Sequence, residues 1–360
     1  MSLKKDNFTN FDKKVMRFAI YLANLNKGLT GTNPSVGCVI VKNNSVISSG
    51  VTSKNGRPHA EYNALIKNNK FKDSSMYVTL EPCSHFGKTP PCTNIIKRKG
   101  IKKIYFGFYD PDHRSYKRAK KKLNKFKISV NKIHTKKKDF YESYFINRKF
   151  QRPFIDAKLA ISNDYYTINN NAKWITNFRS RKVGHLLRSK YDSIVSTSKT
   201  INNDNSLLNC RIEGLENNKP DLLIIDRYLK LKKNLRIFKI SKNRKTYIFT
   251  TSQDKKKILF FRSKKIKVIK LKKLDNKDDF KTLLEKIYKI GKRRLLIESG
   301  LNFLTKCLEF DLVSNLYLFK SNRNLKKKGS NNSSILLKKL KKISKINVNL
   351  REDSLFQARI

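Results

Sequence analysis

One segment, from Pro58 to Cys92, restricts the fold of this chain more than any other, because it places potential metal ligands on either side of a strand. His59 stands at its start, and Cys83 and Cys92 follow the strand-like stretch "SMYVTL". Zinc prefers imidazole and thiolate ligands, and a catalytic zinc site takes three of them and leaves a fourth position for water. The pattern therefore predicts one Zn²⁺ with these three residues as ligands.

Glu61, two residues after His59, is placed for proton transfer at that site. It is too close to His59 along the chain to bind the same ion easily. The order His-x-Glu, then Pro-Cys and a second Cys, matches the signature of zinc deaminases, whose glutamate moves protons. Each part alone is weak, since His-x-Glu pairs are common and buried free cysteines are ordinary core residues. Their order along the chain favours a metal-dependent deaminase with Glu61 as its catalytic residue.

Strands and helices alternate in both halves of the chain, which predicts an α/β fold. In the first half, "HAEYNALIKN" is typical of a helix and "SMYVTL" of a strand. The pattern restarts at "NRKFQRPFIDAKLAIS", where Pro153 opens a new strand after a basic helix. A chain of 360 residues is long enough for two domains. We therefore expect two domains, 1–150 and 151–360.

The formal net charge is +55, and a charge of this size first suggests a nucleic-acid partner. The lysines are spread over the whole length, however, and they accompany many Asn and Ile residues, the three types that AT-rich codons encode. Compositional drift therefore explains the charge, and we expect only weak, salt-dependent RNA binding and no specific nucleic acid. An RNA-binding protein, or a deaminase that acts on tRNA, stays open as an alternative.

The compartment is indicated by what the sequence lacks. No apolar run reaches the roughly 18 residues that a membrane span needs, and the N-terminus has no clean apolar core of a signal peptide. Five cysteines are too few and too unevenly placed for a disulfide framework, which favours a reducing compartment. We therefore predict a cytoplasmic protein with no membrane partner.

Longer motifs make the chain similar to a known family. "NPSVGCVIV", "HAEYNAL" and "YVTLEPCSHFGKTPPCTNII" resemble the deaminase half of the bifunctional riboflavin biosynthesis deaminase/reductases. Most nucleoside deaminases carry C-x2-C, and the longer insert "CSHFGKTPPC" is typical of the riboflavin enzyme. In the second half, "KWIT", "LLRSKYDSIVSTSKTINND" and "LLIESGLNFL" resemble the reductase domain of that family. The resemblance implies a cytidine-deaminase-like three-layer domain followed by a dihydrofolate-reductase-like α/β domain.

The resemblance also implies two reactions of riboflavin biosynthesis. In the first, 2,5-diamino-6-(5-phosphoribosylamino)pyrimidin-4-one loses a ring amino group by zinc-dependent hydrolysis. In the second, NADPH reduces the ribosyl side chain to ribityl, which gives 5-amino-6-(5-phosphoribitylamino)uracil. The implied cofactors are one Zn²⁺ per chain and NADPH. The implied partner is the small phosphoribosylaminopyrimidine substrate, and the implied assembly is a homo-oligomer, either a dimer or a tetramer.

Several residues fall where the family binds its substrate or cofactor. In the deaminase half, the residues themselves suggest that Asn33, in the Asn-Pro turn before the first strand, could hydrogen-bond the ligand at the metal site, and that His85 and Lys88, in the insert, could hold its phosphate or ring; for His85 and Lys88, solvation of a loop is the alternative role. In the reductase half, the positions that contact NADPH in the family are Ala160, Trp174, Thr200, Asp204 and Gly300. The positions that contact substrate are Lys158, Arg188, Leu208, Arg211 and Glu298.

Two physical arguments stand beside these reductase assignments. The turn 298–300 ends a strand and opens a helix, and a turn of this kind presents backbone N–H groups to a phosphate. A guanidinium fork, such as that of Arg188 or Arg211, suits a phosphate dianion. The alternatives are core packing for Trp174 and ordinary surface charge for the two arginines.

Three positions of the second half depart from the family pattern. Tyr165 stands where a turn glycine is usual, Ala172 replaces a serine that contacts substrate, and the sequence Asp-Asn-Ser at 204–206 replaces Asp-Asp-Pro. Lost turn residues weaken a fold modestly. A chain in which only the deaminase is active, with a decayed reductase domain, is therefore the alternative to a bifunctional enzyme.

Overall fold

The computed structural model describes residues 8–66, 71–135, 139–215, 220–241, 244–340 and 342–360. Contacts within the chain separate two units, Met1–Gln151 and Arg152–Ile360. Residues 67 and 68, at the end of the predicted helix "HAEYNALIKN", lie outside the described residues. Within the described ranges, none of the helices is long and apolar enough to cross a membrane.

The N-terminal unit alternates helices and strands around one sheet. In chain order, its elements are α1 (Asn10–Leu25), β1 (Gly37–Lys42), β2 (Ser45–Val51), a 3₁₀ turn (Lys54–Gly56), α2 (Ala60–Leu65), β3 (Ser75–Leu80), α3 (Cys92–Arg98), β4 (Lys103–Phe108), α4 (Arg118–Asn124), β5 (Ser129–Lys132) and α5 (Glu142–Phe150). The strand order is β2-β1-β3-β4-β5. The strand β1 is antiparallel to β2 and β3, whereas β3, β4 and β5 run parallel.

Helices cover both faces of this sheet. In the pair β1–β2, Gly37 lies opposite Val51 and Cys38 lies opposite Gly50. Opposed residues share one side of a sheet, and successive residues alternate between its sides. A Cβ added at Gly37 would overlap the backbone of α1, and one added at Gly50 would overlap that of α2. The two helices therefore lie on opposite faces, which confirms the three-layer arrangement.

Gly50 fixes how closely α2 packs on the sheet. An added Cβ there would lie 2.4 Å from the Ala60 carbonyl oxygen and 2.5 Å from the Ala64 nitrogen. A residue with a side chain cannot approach a helix backbone so closely, whereas glycine can. Because α2 begins directly after His59, this contact also sets where His59 and Glu61 lie relative to the strands.

The C-terminal unit contains a larger sheet. In chain order, its elements are β6 (Phe154–Ile161), β7 (Tyr166–Asn169), α6 (Phe178–Arg188), β8 (Ser193–Thr197), α7 (Ser198–Asp204), β9 (Asp221–Ile225), α8 (Ile237–Ile240), β10 (Thr246–Thr250), α9 (Lys255–Ser263), β11 (Lys267–Lys270), α10 (Lys277–Lys289), β12 (Arg294–Ile297), α11 (Leu301–Glu309), β13 (Asn315–Lys320), a 3₁₀ turn (Lys326–Lys328), β14 (Gly329–Asn332), α12 (Ser334–Lys338), β15 (Lys342–Ile346) and β16 (Ser354–Arg359). The large sheet has the order β11-β10-β9-β8-β12-β6-β13-β16-β15, and β7 pairs with β14 in a separate ribbon.

The large sheet is mostly parallel and is buried on both faces. The strands from β11 to β13 run parallel, and β16 and β15 extend the sheet antiparallel. In β9, Leu223 and Ile225 enter one apolar cluster, whereas Leu222 and Ile224 enter another. Alternation between two clusters is expected of a strand that is covered on both sides. The observed architecture confirms the predicted α/β class.

The carboxyl ends of neighbouring parallel strands bring distant residues together. The strand β12 lies between β8 and β6, and the register of β12 with β6 makes Glu298 and Lys158 neighbours across the pair. On the β8 side, the Gly300 N–H donates to the Thr200 hydroxyl at 3.1 Å. Open α/β sheets bind their ligands at the carboxyl edge of the strands. This edge is therefore where a site in the C-terminal unit is expected.

Tyr165 occupies a backbone conformation that favours glycine, with φ of 70°. Its N–H donates to the Ser162 carbonyl at 3.1 Å. Its own carbonyl accepts from the N–H and the hydroxyl of Ser333, at 2.9 and 2.8 Å. The left-handed conformation costs a residue with a side chain about 1–2 kcal/mol. The turn therefore keeps its geometry without the usual glycine, at a modest cost in stability.

Gly50→Ala should destabilise the N-terminal unit, because the new methyl group overlaps the backbone of α2. Overpacking of this kind costs about 1–3 kcal/mol. Gly184→Ala is the matched control, because Gly184 lies inside α6 and an added Cβ meets nothing within 4 Å; alanine there should stabilise by about 0.8–1 kcal/mol. Thermal unfolding followed by circular dichroism checks both variants. A Gly50→Ala chain as stable as the wild type would contradict the role given to Gly50.

Candidate functional site

Three elements of the N-terminal unit meet at one point and carry the predicted metal ligands. His59 precedes α2, Cys83 follows β3, and Cys92 is the first residue of α3. His59 Nδ1 lies 3.7 Å from Cys83 Sγ and 3.4 Å from Cys92 Sγ, and the three ligand atoms all lie within 4.8 Å of one another. Ligand atoms around a tetrahedral zinc ion are spaced about 3.4–3.8 Å apart. Donor types and spacing therefore both fit Zn²⁺.

The two thiols have opposite proton affinities. The hydrogen bond from Cys92 lowers the pKa of Cys83, and His59 and the Cys92 backbone N–H, 3.2 Å from the sulfur, act in the same direction. The pKa of Cys92 is raised, first by its hydrogen bond with Cys83 and then by burial. The thiolate is the form that binds a metal. Cys83 is therefore ready to ligate, whereas Cys92 must release its proton on binding.

Glu61 is the second residue of α2, and only 4% of it is exposed. Burial raises the pKa of its carboxyl to about 7. The carboxyl also hydrogen-bonds with the Cys92 thiol, so it lies beside the ligand group. A general acid–base residue is most effective when its pKa is near the working pH. Glu61 can therefore both accept and return a proton close to neutrality.

The three predicted substrate residues of this unit differ in how firmly they are held. The Asn33 amide donates to the Gly56 carbonyl at 2.9 Å. His85 Nδ1 lies 2.9 Å from the Ser115 hydroxyl, which ties the insert between the two cysteines to the loop after β4. Lys88 is exposed on the insert. Contact of these residues with a substrate stays a prediction.

In the C-terminal unit, Arg188 and Glu298 form a bidentate ion pair, with nitrogen–oxygen distances of 2.5 and 2.8 Å. Both side chains are largely buried. Burial acts to raise the pKa of Glu298, but the Arg188 guanidinium outweighs it and holds the pKa below its usual value. Burial lowers the pKa of Lys158, which lies near both members of the pair. Glu298 is therefore an ionised acceptor next to Lys158.

Arg188 and Arg211, the two predicted phosphate ligands, stand in different environments. Arg188 directs its donors at Glu298 and at the Asn209 carbonyl, the latter at 3.1 Å. Arg211 is exposed, and its Nη1 donates to the Asn209 side-chain oxygen at 3.3 Å. Of the two guanidinium groups, that of Arg211 is therefore the one open to a ligand from solvent.

The loop that carries Leu208 is fixed from behind by a buried arginine. Leu208 is buried and has φ of 49°, which residues with side chains seldom adopt. The Arg244 guanidinium donates to the carbonyls of Leu207, Leu208 and Pro220, the second at 2.8 Å. Burial lowers the pKa of Arg244 to about 9. No spacing along the chain indicates this role, because Arg244 is one basic residue among many.

The predicted cofactor residues other than Trp174 lie around the ends of β6 and β8. Ala160 lies in β6 and is half-buried. The hydrogen bond between Thr200 and Gly300 links α7 to the start of α11. Burial raises the pKa of Asp204, at the end of α7, and Lys173 and Lys158 act against that rise. Their contact with a cofactor stays a prediction.

Trp174 is not a core residue. Its exposed fraction is 52%. The Arg181 guanidinium carbon lies 4.9 Å from the ring centroid, and the Lys173 ammonium lies 5.3 Å from it. A large aromatic ring that is left open to solvent beside two cations offers a flat surface for a ligand. The alternative of core packing is therefore excluded for this residue.

Two parts of the chain match known families. Residues 9–108 match the "Cytidine and deoxycytidylate deaminase zinc-binding region", and residues 153–321 match the "RibD C-terminal domain". The "Riboflavin biosynthesis protein RibD" of Aquifex aeolicus is 31% identical over 313 residues, which is 86% of this chain and 86% of the relative. That of Buchnera aphidicola is 36% identical over 321 residues, which is 84% of this chain and 85% of the relative. This chain belongs to the RibD family.

Solved RibD structures share the fold. A "diaminohydroxyphosphoribosylaminopyrimidine deaminase/5-amino-6-(5-phosphoribosylamino)uracil reductase" from Thermotoga maritima is 27% identical, with a TM-score of 0.81 over 97% of this chain and 98% of its own. RibD of Acinetobacter baumannii, at 23% identity, has the same TM-score and coverage and is similar in fold. The chain is thus a riboflavin biosynthesis enzyme of the RibD type, with a zinc-binding deaminase region and a reductase domain.

Arg57 is a residue of this RibD metal site that the spacing of the motif does not reveal. Its Nη1 donates to the Thr89 hydroxyl at 2.6 Å and lies 3.5 Å from His59 Nε2. Thr89 belongs to the insert between the two cysteines. Arg57 therefore connects the insert to the ligand histidine. Its position directly before Pro58 is the one signal in the sequence that places it near the motif.

A buried pair of acidic residues follows β4 in this RibD chain, and no motif in the sequence predicts it. Asp112 accepts from Nε and Nη2 of Arg114, at 3.0 and 2.7 Å, and from Arg148 of α5. Asp110 accepts from the Tyr144 hydroxyl at 3.1 Å, and burial raises its pKa to about 6. The same loop carries the hydroxyl that contacts the insert. Residues of α5 therefore fix a loop that touches the insert.

Purified protein should contain about one zinc ion per chain. Cys83→Ser should lose most of it, because a serine hydroxyl is not ionised at neutral pH and is a poor zinc ligand. Cys307→Ala is the control, because Cys307 is a buried cysteine in the core of the other unit. Elemental analysis after exhaustive dialysis checks the three proteins. Full zinc content in Cys83→Ser would contradict the ligand assignment.

Proposed function

We propose that this chain catalyses both RibD reactions. The N-terminal unit deaminates 2,5-diamino-6-(5-phosphoribosylamino)pyrimidin-4-one, and the C-terminal unit uses NADPH to reduce the ribosyl side chain of the product to ribityl. The observation that carries the proposal is the convergence of His59, Cys83 and Cys92 beside a buried Glu61 whose pKa is about 7. The Thermotoga maritima relative is named for the same pair of activities.

The N-terminal unit performs a hydrolysis, in which water adds to the ring carbon and ammonia leaves. The chemistry that zinc supplies when it is bound is Lewis acidity. His59, Cys83 and Cys92 would hold it, and three ligands leave one position open. Glu61 accepts a proton from the attacking water and returns it to the departing amino group. Because burial brings its pKa to about 7, Glu61 can hold the proton between the two transfers at neutral pH.

The phosphate of the substrate would lie against the cationic side of the insert. Arg57 and His85 both approach Gly87: an added Cβ there would lie 3.8 Å from Arg57 Nη2 and 4.0 Å from His85 Nε2. Lys88 is the next residue along the insert. Arginine and lysine both bind phosphate, arginine through a planar fork. Asn33, whose amide contacts the carbonyl of Gly56, would offer its amide to the pyrimidine.

The C-terminal unit performs a reduction, in which the bond between C1 of the ribosyl group and the ring oxygen breaks, C1 gains a hydride from NADPH and the ring oxygen gains a proton. The chemistry that NADPH supplies when it is bound is hydride transfer. Burial lowers the pKa of Lys158, and its ammonium group gives the proton to the ring oxygen. Glu298, held ionised by Arg188, accepts hydrogen bonds from the sugar hydroxyls. Arg211 receives the phosphate.

The chemistry of the available donors also suits a dinucleotide. Gly300 directly precedes α11 as its N-cap and would meet little if it carried a side chain, so a phosphate can approach the backbone N–H groups there. Thr200 of α7 hydrogen-bonds with Gly300, and Asp204 lies at the end of α7. Trp174 offers an exposed ring beside two cations. These residues, together with Ala160, would hold NADPH.

One observation favours the alternative of an active deaminase with a decayed reductase. The Ser206 hydroxyl, at a position where the family usually has proline, is buried without a hydrogen-bond partner among the described residues. A buried unpaired hydroxyl costs about 1–3 kcal/mol. The charged groups of the site persist, however, so the bifunctional enzyme is the better-supported function.

Assembly into a homo-oligomer, a dimer or a tetramer, belongs to the same proposal. Phe18, Tyr21 and Leu25 on α1 are exposed, and groups of exposed apolar side chains often mark protein–protein contacts. A cytoplasmic location and the absence of a specific nucleic-acid partner stay predictions.

Glu61→Gln should reduce deamination by roughly 10²- to 10⁴-fold, because the amide keeps the shape of the side chain but cannot carry the proton. Zinc content should stay unchanged. Asp139→Asn makes the same chemical change at an exposed acidic residue and should leave the rate unaltered. Ammonia release from the diaminopyrimidine substrate measures both. A near-normal rate in Glu61→Gln with zinc retained would remove Glu61 from the mechanism.

Lys158→Ala should reduce NADPH oxidation by roughly 10²-fold or more, since a general acid typically contributes that much. The assay gives the full chain the deaminated ribosyl compound and follows NADPH absorbance. Lys281→Ala, at an exposed lysine of α10, is the control for loss of a positive charge. A wild-type chain that oxidises no NADPH although its C-terminal unit is folded, as judged by circular dichroism, would support the decayed-reductase alternative instead.

A further inference from the structure

His185, on α6, has no part in the reactions described above, yet it touches the predicted phosphate ligand. Its Nδ1 lies 2.9 Å from the Asn209 carbonyl oxygen, and its Nε2 lies 3.2 Å from Nη2 of Arg211. Arg188, one turn further along α6, reaches the same carbonyl at 3.1 Å. The imidazole therefore bridges α6 and the irregular loop that carries Asn209 and Arg211.

The contacts of the imidazole indicate where its proton lies. Nδ1 lies 2.9 Å from the Asn209 carbonyl oxygen and 3.3 Å from Arg188 Nη1. The carbonyl only accepts, and Arg188 Nη1 donates to that same carbonyl, so the closer contact favours a hydrogen on Nδ1. At the other ring nitrogen the Arg211 guanidinium only donates, so Nε2 presents its lone pair. Burial lowers the pKa of His185 to about 4, and Arg188 and Arg211 act in the same direction, whereas Glu298 opposes them. His185 is therefore neutral at physiological pH, with one fixed tautomer.

This arrangement orients a side chain that would otherwise be mobile. Arg211 is exposed and lies in a segment without regular secondary structure. Its guanidinium is held at two points, by His185 Nε2 at 3.2 Å and by the Asn209 side-chain oxygen at 3.3 Å. The two contacts use one N–H group of Nη1 and one of Nη2. They do not involve the other three N–H groups of the guanidinium. A fork that is already oriented loses less conformational freedom when it binds a phosphate.

We infer that His185 is a positioning residue for substrate binding, which holds Arg211 in the orientation that receives the phosphate monoester of the substrate. The inference rests on the proposed reductase function and on Arg211 as the phosphate ligand. Arg188 is less suited to that role, because its donors are directed at Glu298 and at a backbone carbonyl. His185 acts through Arg211 and touches no reacting atom.

Two substitutions at His185 separate positioning from simple packing. His185→Asn places an amide near the position of Nδ1, so it can keep the bond to Asn209 but loses the contact with Arg211. His185→Gln reaches the position of Nε2 and presents an oxygen to Arg211. We expect His185→Asn to raise KM for the phosphorylated reductase substrate by roughly 3- to 10-fold, the effect of one hydrogen bond, with little change in kcat. His185→Gln should stay close to wild type.

A double-mutant cycle tests whether His185 acts through Arg211. Arg211→Gln should raise the same KM by roughly 10- to 100-fold, because it removes charged hydrogen bonds to the phosphate. Adding His185→Asn to that variant should have no further effect, since residues that act through one contact are not additive. The substrate without its phosphate should show none of these changes. Lys281→Gln, on the surface of α10, controls for the loss of one positive charge.

The possible outcomes distinguish this inference from the proposed function. A His185→Asn effect that is equal for both substrates, or that adds fully to Arg211→Gln, would mean a structural role and overturn the inference. An unchanged KM in Arg211→Gln would also overturn it, although the reductase function would stand. A wild-type chain without NADPH oxidation would refute the reductase function. In that case, calorimetry with ribose 5-phosphate, and with ribose as control, tests the inference. Weaker binding of ribose 5-phosphate in His185→Asn and Arg211→Gln, but not in His185→Gln, supports the positioning role. Binding in His185→Asn or Arg211→Gln that equals that of the wild type overturns it.

Discussion

Burial away from water disfavours the charged form of a carboxylate, and both sites of this chain are built around that cost. At Glu61 burial prevails, and the pKa rises to about 7, which suits a residue that carries protons. At Glu298 two hydrogen bonds from Arg188 oppose burial and hold the pKa low, which suits a fixed acceptor. The same type of side chain is therefore protonated near neutrality in one unit and held ionised in the other, and the neighbouring groups decide which.

Backbone packing brings each carboxylate to its place. Glu61 lies in the first turn of α2, and α2 approaches the sheet closely because Gly50 has no side chain. Glu298 follows β12, which lies between β8 and β6, so it is a neighbour of Lys158 in β6, and its carbonyl accepts from the Ser196 hydroxyl of β8. In both units the two carboxylates thus stand where an element begins or ends, and the regular parts of the fold hold them there.

The metal ligands could be predicted because they lie in one segment, at fixed spacings around a strand. The roles of His185 and Arg244 could not be predicted, because their partners lie 24 and 36 residues away in irregular loops. The spacing of apolar residues predicts helices and strands but does not predict the path of such a loop. Tyr165 is an intermediate case. Comparison with the family pattern marked the lost glycine, but the backbone was needed to show that the turn keeps its left-handed residue.

The ion pair in the C-terminal unit bears on whether that unit is still an enzyme. A buried ion pair contributes little net stability and can often be replaced by apolar residues without loss. A domain kept only as a scaffold therefore gains little from Arg188, Glu298 and Lys158 packed together. A substrate with sugar hydroxyls and a phosphate, by contrast, needs an ionised acceptor and oriented cations. The departures at Tyr165 and Ser206 cost about 1–3 kcal/mol each and remove none of these charges. These two departures therefore lower the stability of the C-terminal unit but leave its buried cluster of Arg188, Glu298 and Lys158 intact, and that cluster favours the proposed reductase over a scaffold.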